Sequence, residues 1–430
     1  MYVLKIKMNI TTRITSIEKS MDTHWLIYCG TLVFLMQCGF AMLEAGCVRS
    51  KNTKNILFKN TLDACVGAML WWFLGYGIAY DSGNAFIGGV SSSIFTYAYT
   101  TNEDVYGTTW ANWFFQYVFA ATAATIVSGA MAERTTIIAY LVYTSLITAF
   151  VYPVVVHWVW SSEGWLSSFN DNAILKIMDF AGSGVVHMTG GIAGFCGTFI
   201  LGPRSGRFEQ NFEGQSSTLQ VLGTLLLWFG WYGFNCGSTL GLSPDLYARD
   251  AARVAVTTTL GAASGGITSV VIGRIMKKQY LPDKICNGIL SGLVSVTAGC
   301  SVIYPWHSVV SGFIGAILYS LSSYILIKFK IDDPLDAFAV HGVCGFWGLL
   351  SVGLFAVPSY AYNNSCGAFF GCGDTLAAAF LGGIVQIIWV GTCSTIIFMA
   401  LKLLGILRIS KEEEDSGLDS SKHGGISVNL

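Results

Sequence analysis

Two histidines, His187 and His341, each lie inside a long apolar stretch, with no acidic or metal-binding residue beside them. Each begins the pattern H-x-x-x-G-x-x-G, as HMTGGIAG in the first case and HGVCGFWG in the second. Residues at positions i, i+4 and i+7 share one face of a helix, so each histidine is in line with two glycines that allow close helix packing. A titratable group at membrane depth is costly and indicates a functional site. The repetition predicts one site built from two matching segments.

Two neutral imidazoles side by side offer a hydrogen-bond donor and an acceptor, and a chain of nitrogens can relay a proton. Burial disfavours the imidazolium form, so we expect both rings to be neutral at rest. A single buried histidine is more often a hydrogen-bonded contact between helices than part of a conducting site. The repetition of the histidine on matching segments favours a conducting site, in a transporter or a channel.

The composition predicts a polytopic membrane protein. Of the 430 residues, 53% are hydrophobic and only 11% are charged, too few to cover a soluble protein. The formal net charge of -1 and the lack of a basic run argue against a nucleic-acid partner. No pattern indicates a cofactor, and the 12 cysteines show no C-x-x-C or C-x-x-H spacing, which disfavours a zinc site.

Apolar segments of about 20 residues, the length that crosses a bilayer core, recur along the whole chain. They predict an all-α protein with eleven transmembrane helices, at about 24–46, 61–80, 111–131, 136–160, 181–202, 218–239, 251–273, 285–303, 307–328, 337–357 and 375–404. An odd number of spans places the two termini on opposite sides of the membrane.

The positive charges of the connections predict the orientation. One set of alternate connections is basic and holds Arg49, Lys51, Lys54, Lys59, Arg134, Arg204, Arg207, Arg274, Lys277, Lys278, Lys284, Lys328 and Lys330. The other set carries only Lys176 and Arg249. The positive-inside rule therefore places the basic set and the C-terminus in the cytoplasm and the N-terminus outside. The basic residues before the first span conflict with this orientation, but the connections agree with one another and outweigh them.

Two features would then lie on the outer side. Asn9 (N-I-T) and Asn363 (N-N-S) are N-glycosylation sequons, and Asn363 is the better candidate because its loop is rich in polar residues. Cys366 and Cys372 share a Gly-rich loop and could form a disulfide there, although proximity in sequence does not establish the geometry.

Acidic and aromatic residues stand before and after the first histidine. Asp179 begins a span, where a carboxylate can accept hydrogen bonds from free N–H groups, and this role of a cap is more common than direct ligand contact. Aromatic runs occur as FFQYVFA at 114–120, VHWVW at 156–160 and WYGFNCGS at 231–238. An aromatic face beside a hydroxyl such as that of Ser238 suits a small cation. A single aromatic residue, however, more often serves packing or an interfacial belt.

Four boxes, in order over nearly the whole chain, resemble the ammonium transporter (Amt/Mep/Rh) family. They are GAMAER at 129–134, the run DFAGSGVVHMTGGIAGFCG from Asp179, GFNCGS at 233–238 and DDPLDAFAVHG at 332–342. The tail, with LRIS followed by GLDSSKHGG, is similar to the plant-type branch of eukaryotic ammonium transporters rather than to the Rh branch.

The resemblance implies a fold and an assembly. The fold is eleven helices in two inverted five-helix halves plus one extra helix, with a pore in each protomer of a homotrimer. The transporter domain would cover 24–404, with a first half at about 24–202, a second half at about 218–357 and an eleventh span at about 375–404. An extracellular leader would precede it at 1–23, and a cytoplasmic regulatory tail would follow it at 405–430. The tail is expected to contact a neighbouring protomer, and the protein to reside in the plasma membrane.

The resemblance also assigns site residues by position. The external ammonium-recruitment site would comprise Phe119, Trp160 and Ser238, with Gln116 nearby. The stacked phenyl rings of a gate would be Phe119 and Phe234, followed in the pore by His187 and His341. The acids near the starts of the fifth and tenth spans would be Asp179 and Asp336. Ser421 falls where plant-type members carry a phosphorylatable threonine; here the hydroxyl is kept, although the run KEEED departs from the usual tail.

The implied function is ammonium transport without an enzymatic step. Ammonium and potassium have similar size and charge, but only ammonium can release a proton and cross a narrow apolar pore as neutral ammonia, with or without the proton following. Two alternatives stay open: an ammonium sensor with slow transport, and an Rh-like neutral ammonia channel. An aquaporin-like channel is disfavoured because the sequence has no Asn-Pro-Ala box, and a membrane metalloenzyme because it has no H-E-x-x-H motif.

Overall fold

The computed structural model describes residues 2–89, 106–210, 212–362 and 365–425, with the backbone alone for 2–9 and 106–108. These residues form helices, turns and two isolated β-bridges, so the all-α prediction is confirmed. The helices are α1 Tyr2–Cys47, α2 Thr53–Leu70, α3 Tyr76–Tyr80, α4 Tyr106–Ala130, α5 Ile137–Leu146, α6 Tyr152–Trp160, α7 Thr189–Leu201, α8 Ser217–Gly237, α9 Asp245–Lys277, α10 Pro282–Thr297, α11 Pro305–Lys328, α12 Cys344–Phe355, α13 Gly373–Leu403, α14 Lys411–Ser416 and α15 Leu418–Lys422.

Within the described ranges, nine helices are long and apolar enough to cross a membrane, which confirms a multi-pass protein. They coincide with nine of the eleven predicted spans. The sixth and eighth predicted spans contain α8 and α10, which fall outside that set. α10 has only 16 residues and begins with charged ones, and a helix enclosed by its neighbours needs no continuous apolar surface. The number eleven stays a prediction.

The first two helices begin earlier than predicted. α1 starts at Tyr2, so the residues assigned to a leader are helical and continue into the first span. α2 starts at Thr53, so Lys54 and Lys59, which were counted as a connection, lie within a helix, and Lys59 is buried. Hydropathy detects only the apolar part of a helix, whereas lysine propagates a helix almost as well as leucine does.

The helices pack so that two short segments meet near the centre of the bundle. α1 packs along α8 and α4, α4 packs on α7, and α10 packs on α9, α11 and α12. The segments Ser183–Met188, before α7, and Phe338–Val343, before α12, are single π-helical turns that contact each other. Each of these turns contains one of the two histidines.

Glycines make the crossing of these segments possible, as the sequence pattern predicted. Gly191 and Gly345 stand four residues after the two histidines. A Cβ added to Gly191 would collide with the backbone of Gly342, and one on Gly345 would lie 2.5 Å from the carbonyl oxygen of Ser183. The backbones therefore touch at both positions, and close packing is confirmed.

The C-terminal segment folds back onto the start of α2. The Asp419 carboxylate accepts hydrogen bonds from the backbone N–H groups of Lys54 and Asn55, both at 3.0 Å, and so caps that helix. The Ser421 hydroxyl is exposed and donates to the carbonyl of Gly417 at 3.0 Å. These contacts are within one chain, so a contact of the tail with a neighbouring protomer and phosphorylation of Ser421 stay predictions.

The structure joins Cys366 and Cys372 by a disulfide, with their Cα atoms 5.1 Å apart, which is the pairing that the sequence left open. Asn363 and the side chain of Asn9 lie outside the described residues. Glycosylation at these two sequons therefore stays a prediction.

Candidate functional site

A pocket of about 360 Å³ opens beside α4, α6 and the end of α8, and we call it the aromatic pocket. Four residues predicted for recruitment line it together: Gln116, Phe119, Trp160 and Ser238. The rings of Phe119 and Trp160 meet edge to face, with their centroids 6.1 Å apart. The structure thus collects on one surface side chains that lie up to 122 residues apart in sequence, from Gln116 to Ser238.

Hydrogen bonds orient the polar groups of this pocket. The Trp160 indole N–H donates to the carbonyl of Asp179 at 2.7 Å, which fixes the ring. The Ser238 hydroxyl donates to the carbonyl of Phe234 at 2.9 Å, which leaves its oxygen free to accept. The side-chain oxygen of Gln116 is buried and makes no hydrogen bond within the described structure. An aromatic face beside such acceptors suits a small cation that carries N–H donors.

Two acids of the aromatic pocket were not found from the sequence. Asp22 and Asp250 line it alongside Asp179. Asp250 is already paired with the arginine three residues later, so the charges of Asp22 and Asp179 are the ones that favour a positive ligand. Asp22 accepts hydrogen bonds from the backbone N–H groups of Leu242 and Ser243, at 2.7 and 3.0 Å. More than 200 residues separate Asp22 from these partners, and no local pattern in the sequence signals such a contact.

A column of stacked rings leads from the aromatic pocket into the bundle. Phe119 and Phe234 are buried and stack with centroids 4.0 Å apart and an angle of 19°. His187 lies next in the column, 5.3 Å from the Phe234 ring. Trp231 stacks on His187 at 4.8 Å, and its indole N–H donates to Thr297 at 2.9 Å. Trp231 stands in one of the aromatic runs of the sequence, but no local pattern there indicates its stacking on the histidine.

The two histidines face each other at the end of this column. Their Nδ1 atoms are 3.3 Å apart, and both side chains are buried. When both rings are neutral, one Nδ1 must carry the hydrogen and the other must accept it, so the two rings are opposite tautomers. The Nε2 atom of His187 is buried and makes no hydrogen bond within the described structure, so it presents a polar nitrogen to an apolar passage.

A wide helical turn presents each ring. Ser183–Met188 and Phe338–Val343 both have π-helical geometry, with six residues in each segment. Such turns are rare and occur mostly at functional sites, because the inserted residue changes the direction of the side chains. Hydropathy and helical periodicity carry no signal for such turns, so they are not predictable from the sequence pattern.

Asp179 fixes the first of these turns. Its carboxylate accepts hydrogen bonds from the backbone N–H groups of Gly182, Gly184 and Val185, at 3.0, 2.9 and 2.9 Å. Both carboxylate oxygens are engaged in these bonds, and the residue is only 3% exposed. The geometry agrees with the cap that the sequence favoured over direct ligand contact.

The counterpart of Asp179 in the second half is Asp333. Asp179 lies eight residues before His187, and Asp333 lies eight residues before His341. The Asp333 carboxylate accepts a hydrogen bond from the backbone N–H of Phe338 at 2.8 Å, at the start of the second π-helical turn. The resemblance assigned Asp336 as the acid near the start of the tenth span, and in this register Asp336 stands three residues after Asp333.

Asp336 takes the position of Gly182 instead. Both residues follow the capping acid by three positions and have left-handed backbone angles, with φ of 103° at Gly182 and 57° at Asp336. Aspartate tolerates this conformation better than most residues do. The Asp336 carboxylate accepts hydrogen bonds from Tyr319 and Ser323, at 3.2 and 2.8 Å, and so ties the turn to α11.

An ion cluster anchors the segment before the second turn. Arg204 contacts Asp332 at 2.8 Å and Glu133 at 2.5 Å, and all three side chains are buried. Burial alone would raise the pKa of Asp332, but hydrogen bonds from Arg204 and the charges of Arg134 and Arg204 hold that pKa well below its usual value. The carboxylate therefore stays charged at neutral pH and fixes the chain just before Asp333.

A second, smaller cavity adjoins His341. It has a volume of about 20 Å³, and its lining includes Phe40, Glu44, Ile126 and Asn287 beside the histidine. In the ranges that the structure describes, no group of three or more His, Cys, Asp or Glu side chains is placed to hold a metal ion.

Comparisons with known proteins agree on one family. The model of the Ammonium Transporter Family matches residues 24–427. The chain is 42% identical to "Ammonium transporter 1 member 3" of Solanum lycopersicum, over 95% of this chain and 93% of that protein. It is 41% identical to "Ammonium transporter 3" of Dictyostelium discoideum, over 95% of this chain and 94% of that protein.

Solved structures give the same result. A structure described as "Sensor Amt Protein" superposes with a TM-score of 0.86 at 33% identity, over 95% of this chain and 99% of that one. The crystal structure of Candida albicans Mep2 superposes with a TM-score of 0.81 at 28% identity, over 92% of this chain and 87% of that one.

Proposed function

Because the chain belongs to the Ammonium Transporter Family, it is a membrane transporter of ammonium, and we propose that its path runs from the aromatic pocket past Phe119 and Phe234 to His187 and His341. The observation that carries this proposal is the continuous column of rings that ends at the histidine pair. It connects a cation-binding surface to a passage in which a bare ion has few partners.

Recruitment takes place in the aromatic pocket. The Trp160 ring attracts the cation, and the oxygens of Ser238 and Gln116 accept its N–H groups, contributing about 1–3 kcal/mol together. The acids of the pocket raise the local concentration of cations. Potassium has the charge but no N–H donors, so it satisfies neither oxygen with a directed hydrogen bond.

Beyond the pocket, the ion gives up a proton and ammonia continues. The stacked Phe119 and Phe234 rings exclude water, and an ion without its hydration shell would face a cost of tens of kcal/mol in the idealised limit. Neutral ammonia avoids most of that cost and can donate an N–H to an unpaired ring nitrogen, such as Nε2 of His187. Potassium has no proton to lose and is rejected at this point.

The setting of the transporter belongs to the same proposal. We place the protein in the plasma membrane with the aromatic pocket outside and the tail in the cytoplasm, because the basic connections are all on the tail side. We also propose a homotrimer with one pore in each protomer. The tail, which caps α2 in its own chain, would then lie between neighbouring cytoplasmic surfaces.

A sensor with slow transport is the second candidate, and the similarity to the structure described as "Sensor Amt Protein" favours it. A sensor needs the aromatic pocket and the tail but no open path beyond the gate. The histidine pair, with an unpaired buried nitrogen, favours a transporter. The rate of ammonium uptake per molecule separates the two functions.

The test is growth and uptake in cells that lack their own ammonium transporters. We compare the wild type with His187→Ala and His341→Ala, and with His24→Ala, an exposed histidine on α1, as the matched control. We expect the wild type and the control to support growth and to exclude potassium, and the pore variants to lose uptake, selectivity or both. Unchanged uptake and unchanged potassium rejection in both pore variants would rule out the histidine mechanism.

A further inference from the structure

A chain of buried polar side chains runs beside the pore, between α1, α2 and α4, and the mechanism above does not use it. It contains three ionisable groups, Glu44, Lys59 and Asp63, each only 1% exposed. Lys59 donates to the backbone carbonyl of Thr135 at 3.0 Å. Ionisable groups at membrane depth are costly and usually serve substrate or proton movement.

Two hydroxyls of α4 contact the two carboxylates. Ser128 lies 2.9 Å from a carboxylate oxygen of Glu44 and 3.3 Å from the side-chain oxygen of Asn60. Thr125, three residues earlier on the same helix, lies 2.7 Å from a carboxylate oxygen of Asp63. Hydroxyls can both donate and accept, so they can pass a hydrogen between neighbours on either side.

Several side-chain atoms of this polar chain have no hydrogen-bond partner in the described structure. They include Nδ2 of Asn60, Oδ1 of Asp63 and the hydroxyl oxygens of Tyr140 and Tyr143, all of which are buried. Buried polar atoms of this kind are commonly bridged by ordered water. Water at these atoms would extend the hydrogen bonds that the side chains make with one another.

This chain of buried polar side chains meets the pore at one place. Glu44 and His341 line the same cavity, whose volume of about 20 Å³ is enough for one water. The shared cavity therefore offers space for water beside both side chains, through which a proton from His341 can pass to Glu44. On the other side of Glu44, the Ser128 hydroxyl connects this carboxylate to the side-chain oxygen of Asn60 on α2.

We infer that Glu44 accepts the proton that leaves the histidine pair, so that charge follows ammonia along a separate polar route. An N–H bond of His341 breaks and an O–H bond forms on the bridging water, which gives up one of its own hydrogens to Glu44. The Glu44 proton then passes to the Ser128 hydroxyl, which releases its own hydrogen to water, and that proton rejoins ammonia as ammonium on the cytoplasmic side. This inference rests on the proposed function and adds Glu44 as a proton-transfer residue of the same transport.

The test compares charge with ammonium taken up in the same cells. Voltage-clamped oocytes receive ¹⁵N-labelled ammonium, and the integrated current is divided by the ¹⁵N content. For Glu44→Gln we expect the charge per ammonium to fall at least about tenfold, because the amide cannot accept the proton. Glu18→Gln, the same change at an exposed position of α1, serves as the matched control and leaves the ratio unchanged. Glu44→Asp keeps a carboxylate and restores most of the ratio.

Each outcome has a separate meaning. An unchanged ratio in Glu44→Gln overturns the inference, and so does a wild type that takes up ¹⁵N without any current. A wild type that takes up no ¹⁵N contradicts the proposed function itself. If Glu44→Gln does not reach the cell surface, Ser128→Ala removes the hydroxyl that follows Glu44 on the same route; a lowered ratio there supports the inference, and an unchanged one overturns it.

Discussion

Replacing Asp179 by asparagine tests whether this residue holds the first histidine in place or binds the transported ion. Its two carboxylate oxygens accept three backbone N–H groups between them, one on Oδ1 and two on Oδ2. An asparagine oxygen can keep at most the two bonds of one side. Its NH₂ group then points at the remaining backbone N–H, so two hydrogen-bond donors face each other and no bond forms between them.

The cost follows from this count. One charge-assisted hydrogen bond is lost and one buried donor is left without a partner, which together cost about 3–6 kcal/mol. At roughly 2 °C per kcal/mol for a chain of this size, Asp179→Asn should lower the melting temperature by about 6–12 °C. The first π-helical turn loosens, and the ring of His187 loses its fixed direction.

The assay measures thermal stability of the detergent-solubilised protein and the kinetics of ammonium uptake. We expect a lower maximal rate with little change in the half-saturating concentration, because neither carboxylate oxygen is free to bind the ion. Asp171→Asn, at an exposed site in the same connection, should leave both quantities unchanged. A wild-type melting temperature combined with a large rise in the half-saturating concentration would refute this reasoning and make Asp179 a ligand.

Three further predictions concern the packing around the pore and the disulfide. Trp231→Leu removes the ring stacked on the first histidine, so uptake should fall while ammonium binding at the aromatic pocket stays the same, measured as rate against half-saturating concentration. Gly345→Ala should cost about 1–3 kcal/mol by overpacking and abolish uptake, whereas Gly373→Ala, with open space around it, should behave as wild type. Cys366 and Cys372 should resist a membrane-impermeant maleimide until an impermeant reductant is added from outside; immediate labelling would contradict the disulfide.

Much of the site could be predicted because its signals are local in the sequence. The family resemblance, carried by four short boxes, is confirmed by the match over residues 24–427. The glycines four residues after His187 and His341 predicted the backbone contact that the structure shows. The prediction of a cap at Asp179 needed only a carboxylate at the start of a span, and the hydrogen bonds agree with it.

The rest depends on geometry that local patterns do not encode. The π-helical turns insert one residue into a helix, so helical periodicity alone does not reveal them. The resemblance assigned Asp336 by its place near the start of the tenth span. Counting back from each histidine finds Asp333, but nothing in the sequence said that the histidine was the correct origin. Glu44 lines the same cavity as His341 because α1 runs beside α10 and the second π-helical turn.

The contact between the two Nδ1 atoms has a consequence for the order of events. One hydrogen lies between the Nδ1 atoms of the two neutral rings. When a proton enters at Nε2 of His187, the shared hydrogen moves to His341, and a different proton leaves from Nε2 of His341. Both tautomers are then reversed, and the entry nitrogen already carries a hydrogen. A second proton must wait until the pair returns to its first arrangement. A return by turning the His187 ring would break its stacking with Trp231 and Phe234, which makes this return a separate step. The pair therefore passes protons one at a time and resets between them.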